Sequence, residues 1–302
     1  MTLEQDIALM SNKIAVVTGG SKGIGLAVCT ALVARGVKVV IGDILIKEGQ
    51  EAVAALNKNA GNESAVFQYC DVRKYDDLKV LFNVAETRFG GVDIAVLNAG
   101  IAIQAGGLFD PMEDESERFI HDVNVGGVIK GNKIAIMHMM KRKGGIIINT
   151  SSIAGIISGG GLGAYAATKH AVIGWTRSLE PLQSFNIRAN AVCPYWTETD
   201  IIKLPPNPDG SKNDFLDVLD ASPKAPMEHV VETFLSCIRN EEYAGEALIV
   251  APDGCHEHPR SDLPESCVSE SMLQALLEYQ PKMLEKTKQK LEEASKAYFS
   301  KL

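Results

Sequence analysis

The chain reads as an α/β protein built around a doubly wound parallel sheet, and three observations predict it. Short apolar runs alternate with longer stretches of helical periodicity. Those runs do not alternate between polar and apolar residues, so each strand is buried on both faces, as in a helix-covered parallel sheet. A glycine-rich turn joins the first run to the first helix. Together they predict a Rossmann-type sheet of seven strands with helices on both faces, followed by a helical C-terminal extension.

The elements follow in order. Strands are expected over 14–17, 37–41, 65–70, 93–97, 146–150, 187–192 and 246–250. Helices are expected over 23–35, 47–58, 75–89, 116–142, 163–184 and 228–238. Residues 1–254 form the Rossmann-type domain in this reading. Within it, 195–227 is a long loop rich in Pro, Asp and Asn, with Pro205, Pro206, Pro208 and Gly210. A loop of that length inside a compact domain suits a substrate lid. Residues 255–302 form a charged tail with two expected helices, 269–280 and 281–301, the second starting at Pro281. Leu273, Leu276, Leu277, Met283 and Leu284 give that tail an apolar stripe.

The chain has 302 residues, 46% of them hydrophobic, enough for a sizeable core. Its formal net charge of -8 disfavours a nucleic-acid binder, which needs a basic stripe. Glu4 and Asp6 in a first segment without Arg argue against a leader peptide, and no apolar run is long enough to span a bilayer. The six cysteines lack metal-ligand or redox spacing. Reduced thiols, a cytoplasmic location, no membrane and no metal are the expectations.

The turn Thr18-Gly19-Gly20-Ser21-Lys22-Gly23-Ile24-Gly25 lies between a strand and a helix. Its glycines let the backbone approach a pyrophosphate, and the helix N-terminus offers free N–H groups to that anion. Gly19, Ser21, Lys22, Gly23, Ile24 and Gly25 are therefore expected to hold a dinucleotide. Asp43 ends the second strand, 18 residues after Gly25. A carboxylate there accepts both ribose hydroxyls of an adenosine and repels a 2′-phosphate, which favours NAD over NADP. Lys22 is the counter-signal, because its ammonium can pair with that phosphate.

Tyr165 and Lys169 are four residues apart on one helix face, and Ser152 lies 13 residues before Tyr165, just past a strand end. Three polar groups therefore converge where ligands bind in such sheets. A free tyrosine has a pKa of about 10, so serving as a base near neutrality requires about 4 kcal/mol from its surroundings.

These residues resemble the short-chain dehydrogenase/reductase family, in its standard-length branch, from about Lys13 to Gly254. The likeness rests on Thr18-Gly19-x-x-x-Gly23-x-Gly25, Asp71-Val72, Asn98-Ala99-Gly100, Asn124, Ser152, Tyr165-x-x-x-Lys169 and Arg188-x-Asn190-x-Val192. Segments 145–155 and 165–178 are similar to the group of NAD-dependent 15-hydroxyprostaglandin dehydrogenases. The resemblance implies a hydride transfer between a secondary alcohol or ketone and a nicotinamide cofactor. Tyr165 would be the general acid/base, with Ser152 bonded to the carbinol oxygen. Lys169 would bind the nicotinamide ribose and lower the Tyr165 pKa. Asn124 would hold a water in a proton relay. Asp71 and Val72 would flank the adenine, and Asn98, Ala99 and Gly100 would pack along the cofactor.

The family's usual Pro-Gly after the sixth strand is here Pro194-Tyr195-Trp196-Thr197-Glu198-Thr199. Pro194, Thr197 and Thr199 are expected near the nicotinamide carboxamide. Leu162, Tyr195 and Trp196 are expected to line an apolar substrate pocket, beside a flexible run containing Gly159, Gly160, Gly161 and Gly163. An NADPH-dependent carbonyl reductase and a cofactor-binding protein without turnover are the alternatives. Helices 116–142 and 163–184 pair subunits in similar proteins, so a homodimer or homotetramer is expected.

Overall fold

The structure is a computed structural model that describes residues 3–102, 114–158, 162–203, 206, 210–213 and 215–301. Gly159–161, Pro205 and Pro208 of the two expected loops lie outside the described residues.

The chain opens with a short helix, α1 (Leu3–Met10), then β1 (Ile14–Thr18), α2 (Gly23–Val33), β2 (Lys38–Asp43) and α3 (Ile46–Ala60). β3 (Ala65–Tyr69), α4 (Tyr75–Phe89) and β4 (Ile94–Leu97) follow. Next come α5 (Asp114–His121), a π-helical turn (Asp122–Gly127), α6 (Val128–Arg142), β5 (Gly145–Thr150) and α7 (Gly163–Ser178). The chain ends with β6 (Ile187–Pro194), α8 (Phe215–Ala221), α9 (Met227–Arg239), β7 (Ala247–Ala251), β8 (Gly254–Glu257) and α10 (Glu270–Phe299).

The strands form one sheet in the order β3-β2-β1-β4-β5-β6-β7-β8. The first seven are parallel, and β8 pairs antiparallel with β7. The sheet thus has eight strands rather than seven, and it runs to Glu257, past the boundary expected at 254. The order reverses between β1 and β4, which opens a crevice at their carboxyl ends, where such sheets bind ligands.

Apolar strands facing both ways create two cores. Ala15, Val17, Val39 and Ile41 point to one face and meet Val28, Leu32, Leu56 and Phe234 of α2, α3 and α9. Ile14, Val16, Val40 and Ala95 point to the other and meet Leu81, Phe82, Ile134 and Val172 of α4, α6 and α7. All of these are buried. Adding a residue to or removing one from any central strand exchanges the two faces, so the register is tightly fixed.

Four expected helices are cut differently. The one expected over 116–142 is α5 and α6 joined by the π-helical turn. That turn slips the hydrogen-bond ladder by one residue and turns Asn124 inward, fully buried. The helix expected over 163–184 stops at Ser178, and Glu180–Phe185, with a proline in its first turn, is 3₁₀. The two tail helices are one helix, which runs through Pro281. Pro281 donates nothing to the carbonyl one turn back, but Leu277 there is 64% exposed, so water can take that bond. Ser269 caps this helix by accepting from the Met272 N–H at 3.2 Å. Its last turns dock on α6, where Tyr298 Oη lies 3.1 Å from Nε2 of the buried His138. Of the expected stripe, Leu273, Leu276 and Leu277 are exposed, while Met283 and Leu284 are half-buried.

Candidate active site

The glycine turn is shaped by steric need. Gly19 and Gly23 have φ of 64° and 53°, a region that favours glycine. A Cβ on Gly25 would stand 2.2 Å from the Gly19 carbonyl oxygen. No side chain caps the start of α2, and its first turn carries no acidic residue. The hydroxyl of Ser21 is buried with no hydrogen-bond partner. An uncapped helix N-terminus, a cradle without Cβ atoms and an orphaned buried hydroxyl together fit a pyrophosphate.

Asp43 closes one side of this turn. Its carboxylate accepts the Ser21 N–H and the Leu45 N–H, each at 3.1 Å. It is thereby fixed at the end of β2, with lone pairs left for ribose hydroxyls. Lys22 stands between two carboxylates, 3.6 Å from Glu48 and 3.7 Å from Asp200.

The Asn98 side chain locks three strand ends together. Its amide donates to the Gly19 carbonyl at 3.1 Å and accepts from Thr150 Oγ1 at 3.2 Å. Thr18 Oγ1 receives the N–H groups of Asn98 and Ala99 at 3.1 and 3.2 Å. These bonds leave Asn98, Ala99 and Gly100 lining the floor of the crevice. Val72 is buried against Gly127 of the π-helical turn, where a Cβ would lie 2.7 Å from it. Asp71 is gripped by Arg73, with bonds of 2.9 and 2.7 Å to its two oxygens, and this guanidinium holds the carboxyl below the usual carboxylate range. The resemblance does not signal that claim on Asp71.

The polar groups of the candidate reaction centre meet beyond β5. Ser152 caps a short 3₁₀ turn, accepting from the Ala154 N–H at 3.2 Å, and its hydroxyl acts on that of Tyr165 to favour the charged form. Lys169, one turn along α7, is buried and donates to the Thr150 carbonyl at 3.0 Å. Its Nζ lies 5.6 Å from the Tyr165 ring centre. Ser151 ties α7 to β5 by donating to the Lys169 carbonyl at 2.8 Å. Asn124 accepts from the Ile101 N–H at 2.9 Å and donates to the Ile101 carbonyl at 2.8 Å and to Thr168 Oγ1 at 3.1 Å. A Cβ on Gly100 would lie 3.3 Å from Asn124 and 3.4 Å from the Lys169 ammonium, so these two groups face one small space. Thr168 and Ser151 escaped the sequence reading. Their only signal is adjacency to Lys169 and Ser152.

One electrostatic expectation is corrected. Burial pushes the Tyr165 hydroxyl above its ordinary pKa, opposed only by the Ser152 hydrogen bond. Burial also carries the Lys169 ammonium down to about 8. The Tyr165 pKa is therefore raised rather than lowered in the protein alone, because desolvation dominates. A cationic nicotinamide ring beside Tyr165 would supply the missing positive charge.

The residues after β6 divide by direction. Pro194 and Thr197 are buried, and Thr197 Oγ1 donates to the Tyr195 carbonyl at 3.0 Å. Thr199 meets the glycine turn, its Cγ2 3.4 Å from where a Cβ on Gly23 would lie. Tyr195 packs on the core shared with α2 and α9, which is ordinary packing. Trp196 turns toward α8 and stands edge-on to Phe215, ring centres 6.0 Å apart. Leu162 is half-buried at the start of α7. Phe215 was not foreseen, since nothing in the loop sequence signals α8.

Among the described residues no helix is long and apolar enough to cross a membrane. Among them, too, no group of His, Cys, Asp or Glu could hold a metal ion.

Known proteins share this arrangement. A family model described as short chain dehydrogenase matches residues 13–206. The chain is 34% identical over 200 residues to 15-hydroxyprostaglandin dehydrogenase [NAD(+)] of Bos taurus, covering 64% of this chain and 71% of that one. The Homo sapiens protein of that name matches to the same extent, 34% over 200 residues. Zerumbone synthase of Zingiber zerumbet is 33% identical over 193 residues, covering 63% of this chain and 70% of its own. A solved short-chain type dehydrogenase/reductase from Mycobacterium marinum superposes with a TM-score of 0.73 at 26% identity, covering 83% of this chain and 98% of its own. With its glycine turn, its Ser152–Tyr165–Lys169 grouping and a family match over most of the sheet, the chain belongs to the short-chain dehydrogenase family.

Proposed function

We propose that this protein transfers a hydride between NAD and a secondary alcohol or ketone of apolar character. The convergence of Ser152, Tyr165 and Lys169 at the carboxyl end of β5, beside the uncapped glycine turn, carries this reading. The bound dinucleotide would supply the hydride acceptor or donor at its nicotinamide ring. Tyr165 takes the carbinol proton in oxidation and returns it in reduction. Ser152 donates to the same oxygen and stabilises its developing charge. Lys169 binds the nicotinamide ribose, and Asn124 holds the relay end of the site around Ile101. Asp43 accepts the adenosine ribose hydroxyls. Pro194, Thr197 and Thr199 border the carboxamide, and Val72 and Asp71 the adenine.

NAD is preferred over NADP in this reading because Asp43 is held in place by two backbone N–H groups, while Lys22 is already paired. A homo-oligomer is proposed as the working assembly. The last turns of α10 already lie on α6, so that helix offers a reduced pairing surface. A panel of secondary alcohols with NAD⁺ and NADP⁺, and of ketones with NADH and NADPH, tests the reading by nicotinamide absorbance. Turnover with NAD(H) on apolar members supports it. Turnover only with NADP(H) favours the carbonyl-reductase alternative.

Trp196 and Phe215 form the apolar wall proposed for the substrate. Trp196→Ala is expected to raise the alcohol KM about tenfold, with a smaller change in kcat, because it removes binding shared by ground and transition states. Unchanged KM and kcat on every accepted alcohol would assign Trp196 to loop packing alone.

A further inference from the structure

Lys22 is the only cation in the glycine turn, and by position it is the group best placed to welcome a 2′-phosphate. Its surroundings work against that. Glu48 approaches from the first turn of α3 at 3.6 Å, and Asp200 from the 3₁₀ turn after β6 at 3.7 Å. Asp43 stands on the same side of the turn, bonded to the Ser21 N–H. Asp200 has a second partner, Lys203, at 2.6 Å, so one carboxylate lies between two ammonium groups. Three carboxylates from three separate elements thus stand around the glycine turn.

We propose that Glu48 and Asp200 are cofactor-specificity residues: they hold the Lys22 ammonium away from a 2′-phosphate and add a second barrier to NADP beyond Asp43. This rests on the reading of the glycine turn as a dinucleotide site. The contacts are partly exposed, with Lys22 at 47%, Glu48 at 35% and Asp200 at 61% side-chain exposure, so each carboxylate contributes modestly and in a salt-dependent way. They act together, because an incoming phosphate must break both pairs or approach both carboxylates. Asp200 also lies near the start of the 195–227 loop, in a 3₁₀ turn. The same pairs therefore fasten the base of that loop to the phosphate-binding turn.

The test is a mutant cycle read by equilibrium binding, using the native fluorescence of NADH and NADPH. Dissociation constants are measured for the full chain, for the E48Q/D200N double variant, for K22A and for K22A/E48Q/D200N, at low and high salt. In the double variant NADPH is expected to bind roughly four- to twenty-fivefold more tightly, about two- to fivefold per carboxylate. NADH binding should stay within about twofold, which also reports an intact turn. The NADPH gain should shrink at high salt and vanish when Lys22 is absent. A double variant with an unchanged NADPH-to-NADH ratio overturns the proposal, as does a gain that persists without Lys22. Native protein that prefers NADPH defeats the NAD reading instead, and the cycle still decides separately whether the two carboxylates restrain Lys22.

Discussion

Replacing Tyr165 with phenylalanine is expected to lower kcat by about 10²–10⁴-fold while leaving the dissociation constant of NADH nearly unchanged. The substitution removes one oxygen from a half-buried side chain whose ring packing stays. The lost atom is the one that bonds Ser152 and exchanges a proton with the carbinol oxygen. The pH dependence carries the same signature. Burial holds the Tyr165 hydroxyl above its ordinary pKa, so its protonated form dominates at neutrality. Ketone reduction, which needs that proton, falls as pH rises, whereas alcohol oxidation, which needs the vacated oxygen, climbs through the alkaline range. Steady-state kinetics of both directions against pH check this. Comparable turnover in the phenylalanine variant would remove Tyr165 from the chemistry.

Gly25→Ala is expected to be strongly damaging. The added Cβ would meet the Gly19 carbonyl oxygen at 2.2 Å and the Asn98 amide nitrogen at 2.7 Å. A backbone carbonyl inside a tight turn cannot swing aside as a flexible side chain can. The turn must open, which costs about 3 kcal/mol or more and lowers Tm by roughly 5–10 °C. It also disturbs the Asn98 bonds that join the ends of β1, β4 and β5. NADH binding should weaken by more than about tenfold, because the N–H groups facing the pyrophosphate move with the turn. Gly174→Ala is the matched control. That glycine is exposed on α7 with open space around its would-be Cβ, so alanine should be neutral or stabilise by up to about 1 kcal/mol. Thermal melts and NADH titrations of both variants separate the two cases.

The sequence exposed the parts of this protein that obey local rules. The seven parallel strands were legible because most are apolar and buried on both faces. The glycine turn was legible because its motif sits between a strand and a helix. Tyr165 and Lys169 were legible because a four-residue step places them on one helix face. The hidden parts break such rules. β8 is a short, mostly exposed edge strand, so it lacks the apolar run that marks the others. The π-helical turn at Asn124 is a slip in hydrogen bonding, and periodicity over 116–142 passes through it unmarked. α10 crosses Pro281 because the lost bond falls on an exposed stretch, a fact of burial rather than of residue type. The partners of Lys22 come from α3 and from the turn after β6, and only the folded sheet brings them together. The Trp196–Phe215 wall depends on α8, which lies in a segment that reads as irregular.

The most direct test of hydride transfer follows an isotope. A secondary alcohol accepted by the protein, carrying deuterium on its carbinol carbon, is incubated with NAD⁺, and the reduced cofactor is analysed by mass spectrometry. The site built on Ser152, Tyr165 and Lys169 predicts one deuterium in each NADH formed by the native chain, and very little labelled NADH from the Tyr165→Phe variant. Unlabelled NADH, or label transferred equally well by the variant, would contradict it.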